Sequence, residues 1–303
     1  GELRALSRLI TRVEEGRGDV LATMERLWSH RAGARVLGVT GPPGAGKSTF
    51  VDRVIARHRA AARRVAVLAV DPSSPFTGGA ILGDRIRMQA HAADPGVFIR
   101  SLGTRGHHGG LTRTTREAAI LCAAAGFTRV IIETVGVGQT ELEVVGVADQ
   151  VLVLLVPESG DVIQTMKAGL LEGADVFAVN KADRPGADRL AKELIAMLNE
   201  RAEIAAAPLT DVPVFQVSAQ QGDGLEALLD ELDRRDADAI PPGRSLPPLA
   251  VAARLLGEEV ARRAEAEARV RLAAGGDRED LGEALLDGSA NPYAAVRALL
   301  GDV

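Results

Sequence analysis

Residues 38–50 read GVTGPPGAGKSTF, and they fit the spacing G-x-x-x-x-G-K-S with Gly41, Gly46, Lys47 and Ser48. A branched apolar run, RVLGVT at 35–40, leads into this stretch, and a helical pattern follows it. Glycines there let successive backbone N–H groups converge on phosphate oxygens. The lysine reaches the outer phosphates and the serine hydroxyl serves as a magnesium ligand. The candidate phosphate-binding residues are Gly44, Ala45, Gly46, Lys47, Ser48 and Thr49. Such a loop works only between a buried strand and a helix. It therefore commits the chain to an α/β sheet before anything else is read.

The rest of the pattern agrees. Apolar runs of strand length recur at 35–40, 64–71, 97–102, 129–135, 150–156, 175–180 and 213–218, with helical stretches between most of them. Near-continuous apolar strands imply burial on both faces, and alternation with helices implies parallel pairing. The expected fold class is α/β, a P-loop NTPase with a mostly parallel central sheet flanked by helices, plus helical N- and C-terminal extensions. The expected domains are 1–34 (helical extension), 35–237 (the sheet domain) and 238–303 (a helical arm). The first places Leu3, Leu6, Leu9, Ile10 and Val13 at helical spacing. The last follows a proline-rich linker, DADAIPPGRSLPP at 236–248, and opens with a helix over 249–272 carrying Glu-before-Arg pairs at i,i+4. That helix is too polar for a core.

Ligands of such sheets bind at the carboxyl ends of the strands, and the remaining motifs fall there. VIIETVGVGQTE at 130–141 delivers Glu133 to a glycine-containing turn with Gly136, Gly138 and Gln139. A carboxylate in that place belongs beside a phosphate-bound magnesium ion. Asp71 ends VAVLAVD and offers a second carboxylate at the same edge, or a turn-initiating Asp before proline. Asp84, in TGGAILGDRIRM, lies in a glycine-flanked segment able to move with nucleotide state, or else caps the next helix. NKAD at 180–183 follows another buried strand. Asp183 can accept from guanine N1–H and the exocyclic amine, donors that adenine lacks at those positions, while Asn180 and Lys181 brace the loop and cover the base. Sites that read a donor discriminate by about 10⁴ or more. SAQQGDGL at 218–225 supports this, with Ser218 and Ala219 placed to present backbone to guanine O6. The loop RSLGTRGHHGGLTR at 100–113 holds His107 and His108, but adjacent histidines without spaced Cys or His partners make a poor metal site.

Composition excludes several classes. Apolar residues make up 46% of 303, which fits a folded globular chain, and the net charge of −5 argues against generic binding to nucleic acid or to an anionic membrane. Cys122 is the one cysteine, so no intramolecular disulfide forms and a reducing compartment is expected. No apolar run approaches 18 residues and no signal-peptide pattern is visible, so the expected localisation is cytoplasmic. Of 36 basic residues only Lys47, Lys167, Lys181 and Lys192 are lysines, which singles them out for tasks that need a compact ammonium.

With the phosphate loop, DPSS, RGHHGG, ETVGVGQ and NKAD in this order, the chain resembles the cobalamin-linked G-proteins associated with methylmalonyl-CoA mutase, the MeaB type, also called ArgK or LAO/AO transport kinases. The resemblance is close over 36–220. Its long stretches VDPSSPFTGGAILGDRIRM and IIETVGVGQTE separate it from the urease- and hydrogenase-maturation relatives, whose metal-binding Cys/His clusters this sequence lacks. It implies a homodimeric, magnesium-dependent GTPase that binds GTP and GDP. Its implied task is to chaperone an adenosylcobalamin-dependent acyl-CoA mutase, gating cofactor loading and protecting the mutase. It implies that Glu133–Gly136 is the family's ExxG in place of DxxG, with Gly136 and Gln139 in a switch behind it. A further switch matches VPESGDVIQTMKAG at 156–169, with Gln164 and Lys167. Catalytic candidates are then Lys47, Asp84, Glu133 and Lys167, and metal candidates Ser48, Asp71 and Glu133. Two other readings stand beside this one: an ATP-dependent kinase of a transport system, and a metallochaperone-type GTPase.

Overall fold

The computed structural model describes residues 2–17, 20–71, 91, 93–103, 110–134, 143–159, 168–205 and 212–237, with residues 256, 257 and 260. The chain divides into two compact units, Gly1–Ser245 and Leu246–Val303. Asp84, Gly136, Gln139, Gln164, Lys167, the two adjacent histidines and most of the 249–272 helix lie outside the described residues. In the second unit Leu256 and Val260 are helical and exposed.

The first unit is built on seven strands: β1 (Arg35–Thr40), β2 (Val65–Asp71), β3 (Val97–Gly103), β4 (Arg129–Thr134), β5 (Gln150–Leu155), β6 (Val176–Asn180) and β7 (Val214–Val217). All seven expected strands form, with ends within two residues of the apolar runs. Their order is β3-β2-β4-β1-β5-β6-β7. Every pairing is parallel. β1 sits between β4 and β5, so the loop that leaves it emerges at the middle of the sheet edge.

Around the sheet lie α1 (Glu2–Glu14), α2 (Val20–Leu27), α3 (Lys47–Ala60), α4 (Gly110–Ala124), α5 (Ala168–Gly173), α6 (Ala187–Ala205) and α7 (Leu225–Ala237). Strand side chains alternate between two separate cores. Leu37 and Val39 of β1, Ile131 of β4, Leu152 and Leu154 of β5, and Val176 and Ala178 of β6 pack with Phe50, Val54 and Ile55 of α3 and Leu228 and Leu232 of α7. Val130, Ile132, Val153, Phe177 and Val179 join α4 and α6 on the other face. α1 adds Leu6, Ile10 and Val13 to that second core, whereas Leu9, expected with them, is exposed because its position turns away from α4. The parity matters for function. Glu133 is two residues beyond Ile131 and Asn180 two beyond Ala178, so both stand on the α3 face of the sheet.

At the opposite edge Arg129 is 1% exposed and is held by Asp236 near the end of α7. Gln150 Nε2 reaches the same carboxylate and donates to Leu232 O at 3.0 Å, so α7 is tied down under β4 and β5. Burial is the main influence pushing Asp236 above the ordinary carboxylate range, opposed by Arg129. Cys122 of α4 is buried, and burial pushes its thiol up to about 12.

Candidate nucleotide site

The loop between β1 and α3 is shaped by glycines with positive φ. At Gly41, φ is +139° and a Cβ would stand 2.0 Å from Leu154 O of the neighbouring strand. Only glycine lets the chain leave β1 that close to β5. Gly46 has φ +86° and is the N-cap of α3, so the helix starts at Lys47 with its free N–H groups facing the loop. Lys47 is buried, and its ammonium donates to Gly41 O at 2.7 Å and Pro42 O at 3.0 Å. The lysine is thus folded back over the loop it serves, with its charge inside the turn.

Ser48 and Glu133, 85 residues apart in sequence, meet at the start of α3. The Ser48 hydroxyl donates to Glu133 Oε1 at 2.6 Å, a short charge-assisted bond. Glu133 is 5% exposed, and its register partners are Val39 of β1 and Ala69 of β2. One residue on, Thr134 donates its hydroxyl to Thr40 Oγ1 at 2.9 Å, which locks the carboxyl end of β4 to that of β1. Asp71 closes β2 on the same edge, level with Gly103 of β3. Of the three metal candidates, Ser48 and Glu133 are thus brought into direct contact.

The other expected motif closes on the same loop from the β6 side. Asn180 is buried, and its amide is used at both ends: Nδ2 donates to Ala45 O at 2.8 Å and Oδ1 accepts from Ala219 N–H at 2.9 Å. A Cβ on Gly46 would lie 2.3 Å from Asn180 Nδ2, so the amide is packed directly against the phosphate loop. Lys181 takes φ +57°, which turns the chain sharply after β6. Ala182 N–H then bonds Val217 O at 3.0 Å and leaves Asp183 exposed at the rim. Ser218 is buried. Its N–H donates to Asp223 O at 2.9 Å, and its hydroxyl accepts from Gln221 N–H at 3.3 Å.

Sequence reasoning missed Arg53, on the second turn of α3. Its Nε donates to Ala219 O at 2.9 Å and its Nη2 to Gln220 O at 2.8 Å. An arginine on a helix in an arginine-rich chain gives no signal of such a task. Among the described residues, no group of three or more His, Cys, Asp or Glu is placed to hold a metal.

Comparison with known proteins decides the family. A model described as Methylmalonyl Co-A mutase-associated GTPase MeaB matches residues 6–243. The chain belongs to the MeaB family. A Pyrococcus horikoshii relative is 45% identical over 232 residues, 77% of this chain and 73% of its own length. The GTPase ArgK of Escherichia coli is 44% identical over 187 residues, 60% of this chain and 56% of ArgK. The mouse methylmalonic aciduria type A homolog, mitochondrial, is 39% identical over 202 residues, 65% of this chain and 48% of that protein. The crystal structure of LAO/AO transport system kinase superposes with a TM-score of 0.59 at 26% identity, covering 98% of this chain and 96% of that one. HypB from Helicobacter pylori in complex with nickel shares the fold, with a TM-score of 0.51 at 18% identity over 75% of this chain and 98% of that one. This chain is a nucleotide-binding GTPase of the MeaB and ArgK type. Among the described residues no helix is long and apolar enough to cross a membrane.

Proposed function

We propose that the chain is a GTP-hydrolysing chaperone of an adenosylcobalamin-dependent acyl-CoA mutase, methylmalonyl-CoA mutase being the first candidate. The observation that carries the hydrolytic part is the Ser48–Glu133 contact at 2.6 Å, which puts a buried carboxylate at the mouth of a phosphate loop. The family description, which names a mutase-associated GTPase, supports the partner.

The residues fit a magnesium ion. Ser48 and Glu133 present only oxygen, the donor set that a small hard cation takes, and Asp71 ends its strand on the same edge. Bound there, magnesium would neutralise charge on the nucleotide phosphates. The rest falls to the chain itself. The N–H groups at the start of α3 and the Lys47 ammonium hold the phosphate oxygens as negative charge redistributes. Glu133, one carbon longer than aspartate, reaches a bound water rather than the phosphate. Asp183 reads the guanine donors at the rim while Asn180 and Lys181 set the loop. Gly136, Gln139, Gln164 and Lys167 are proposed as switch residues that report nucleotide state to the mutase.

A homodimer through the C-terminal arm completes the proposal. Leu256 and Val260 are each helical, lie four residues apart in sequence and are 67% and 66% exposed, an apolar pair that a partner helix would cover. Removal of residues 246–303 should give a monomer that still binds GTP. A truncated protein that sediments as a dimer places the interface elsewhere.

The deciding measurement is GTP turnover with and without candidate cobalamin-dependent mutases. A partner-dependent change in rate, lost on Lys167→Ala while GTP binding is kept, supports the chaperone. An unchanged rate with every such mutase refutes it. Stronger competition by ATP than by GTP favours the kinase reading suggested by the name LAO/AO transport system kinase.

A further inference from the structure

The hydrogen bonds around Asn180 do not end at the phosphate loop. Asn180 joins Ala45 of that loop to Ala219 of the loop after β7. From Ala219 and the next residue, two carbonyl oxygens point at a single guanidinium, that of Arg53. Arg53 stands on α3, the helix that begins at Lys47 immediately after the phosphate loop. The four segments therefore close a ring: phosphate loop, end of β6, loop after β7, and α3 back to the phosphate loop. Two of its links are made by Asn180, and a third is the chain itself, which runs from the phosphate loop into α3. Arg53 supplies the fourth.

We infer that Arg53 is a positioning residue for base recognition, one that fixes the 218–221 backbone to the phosphate-binding helix and so sets the selectivity for guanine. This rests on the reading of Asp183 and the neighbouring loops as the base site. The planar fork is suited to the task. Its Nε and Nη2 are spaced to meet two consecutive carbonyls at 2.9 and 2.8 Å, fixing both distance and tilt of the peptide between them. A lysine there has a charge but no second donor in a fixed direction. Without the fork, the Ala219 and Gln220 carbonyls lose their tie to α3, and the loop is left with Ala219 N–H on Asn180 and its own turn bonds, Gly222 N–H to Ser218 O at 2.7 Å and Gln221 N–H to the Ser218 hydroxyl at 3.3 Å. The loop facing the base then loses its fixed depth, while the phosphate loop keeps Lys47 on Gly41 and Pro42.

The test uses the full chain with magnesium, titrating fluorescent GDP and competing with GDP, IDP and ADP, for the wild type, Arg53→Ala and Arg53→Lys. Arg53→Ala is expected to weaken GDP about tenfold, through faster dissociation, and to shrink the GDP-over-ADP ratio. Affinity for ADP, which is held by its phosphates, should barely change. Arg53→Lys should recover affinity in part and the ratio hardly at all. The melting temperature of the nucleotide-free variants should stay within about 2 °C of the wild type, the size of effect expected for a surface substitution. Equal loss for GDP and ADP, or a large fall in melting temperature, makes Arg53 an ordinary structural brace and overturns the inference. So does an unchanged ratio in Arg53→Ala when the wild type discriminates. A wild type that binds ADP as tightly as GDP refutes the base reading itself, a separate failure visible before any variant is made.

Discussion

Replacing Asn180 by aspartate exchanges one NH₂ for an oxygen and changes nothing else in shape. Oδ1 keeps its bond from Ala219 N–H, but the new oxygen faces Ala45 O where a donor stood at 2.8 Å. The site is 3% exposed, and the Gly46 backbone leaves no space beside the amide, so water has little room to intervene. Two acceptors then oppose each other, and one backbone carbonyl is orphaned, at a cost of about 1–3 kcal/mol before the buried charge is counted. The variant can escape by holding a proton and donating it to Ala45 O. That raises the folded-state pKa of the new carboxyl above its unfolded value near 4. The unfolded chain releases the proton first, so stability relative to the wild type is lost as pH rises, by about 1.4 kcal/mol per unit, until the folded carboxyl also ionises. Asn180→Asp should therefore be clearly weaker than wild type at pH 7.5 and recover much of the difference at pH 5. Asn180→Ala orphans both Ala45 O and Ala219 N–H and should lose about 2–6 kcal/mol independently of pH. Thermal unfolding of the nucleotide-free full chain at both pH values reads this out, at about 2–4 °C per kcal/mol for a chain of this size. Equal destabilisation of Asn180→Asp at the two pH values, or less than about 0.5 kcal/mol at pH 7.5, would refute the argument that this amide joins the loops.

Asp183 is exposed, so Asp183→Asn should leave the melting temperature unchanged while weakening GTP and favouring xanthosine triphosphate, as competition binding would show. Glu133→Gln keeps the volume but not the charge. Single-turnover kinetics should find GTP hydrolysis slowed about 10² or more with GDP affinity little changed, and comparable rates would remove Glu133 from the site. Burial first, then Arg129, pushes the His58 imidazole down to about 4. The unfolded chain takes up a proton near pH 6.5 that the fold refuses, so stability should fall as pH drops from about 6.5 toward 4. His58→Gln should flatten that part of a midpoint-against-pH curve.

Much of the site was legible because its residues sit at strand ends, where period-two burial fixes direction. Glu133 follows a run buried on both faces, and Asn180 likewise, so position and facing were implied together. The order of the strands was not legible, since parallel crossovers of similar length connect neighbours and next-neighbours alike. The identity of the Ser48–Glu133 contact depends on β4 pairing with β1, which apolar runs do not encode. Arg53 and the Arg129–Asp236 anchor were hidden for another reason. An arginine on a helix or at a strand start reads the same whether it faces solvent or closes a ring, and only the approach of a distant loop distinguishes the two.

The burial of Cys122 has a practical consequence for anyone who wants to watch the proposed switch move. It is the chain's one cysteine, it lies within α4, and burial holds its thiol near 12, so at neutral pH almost no thiolate is present and reagents cannot reach it. Toward maleimides the native sequence therefore behaves as if it had no cysteine. A single cysteine placed at exposed Ile195 on α6, or at a position in the segments after β4 or β5, would carry a fluorophore or spin label without first rebuilding the helix core.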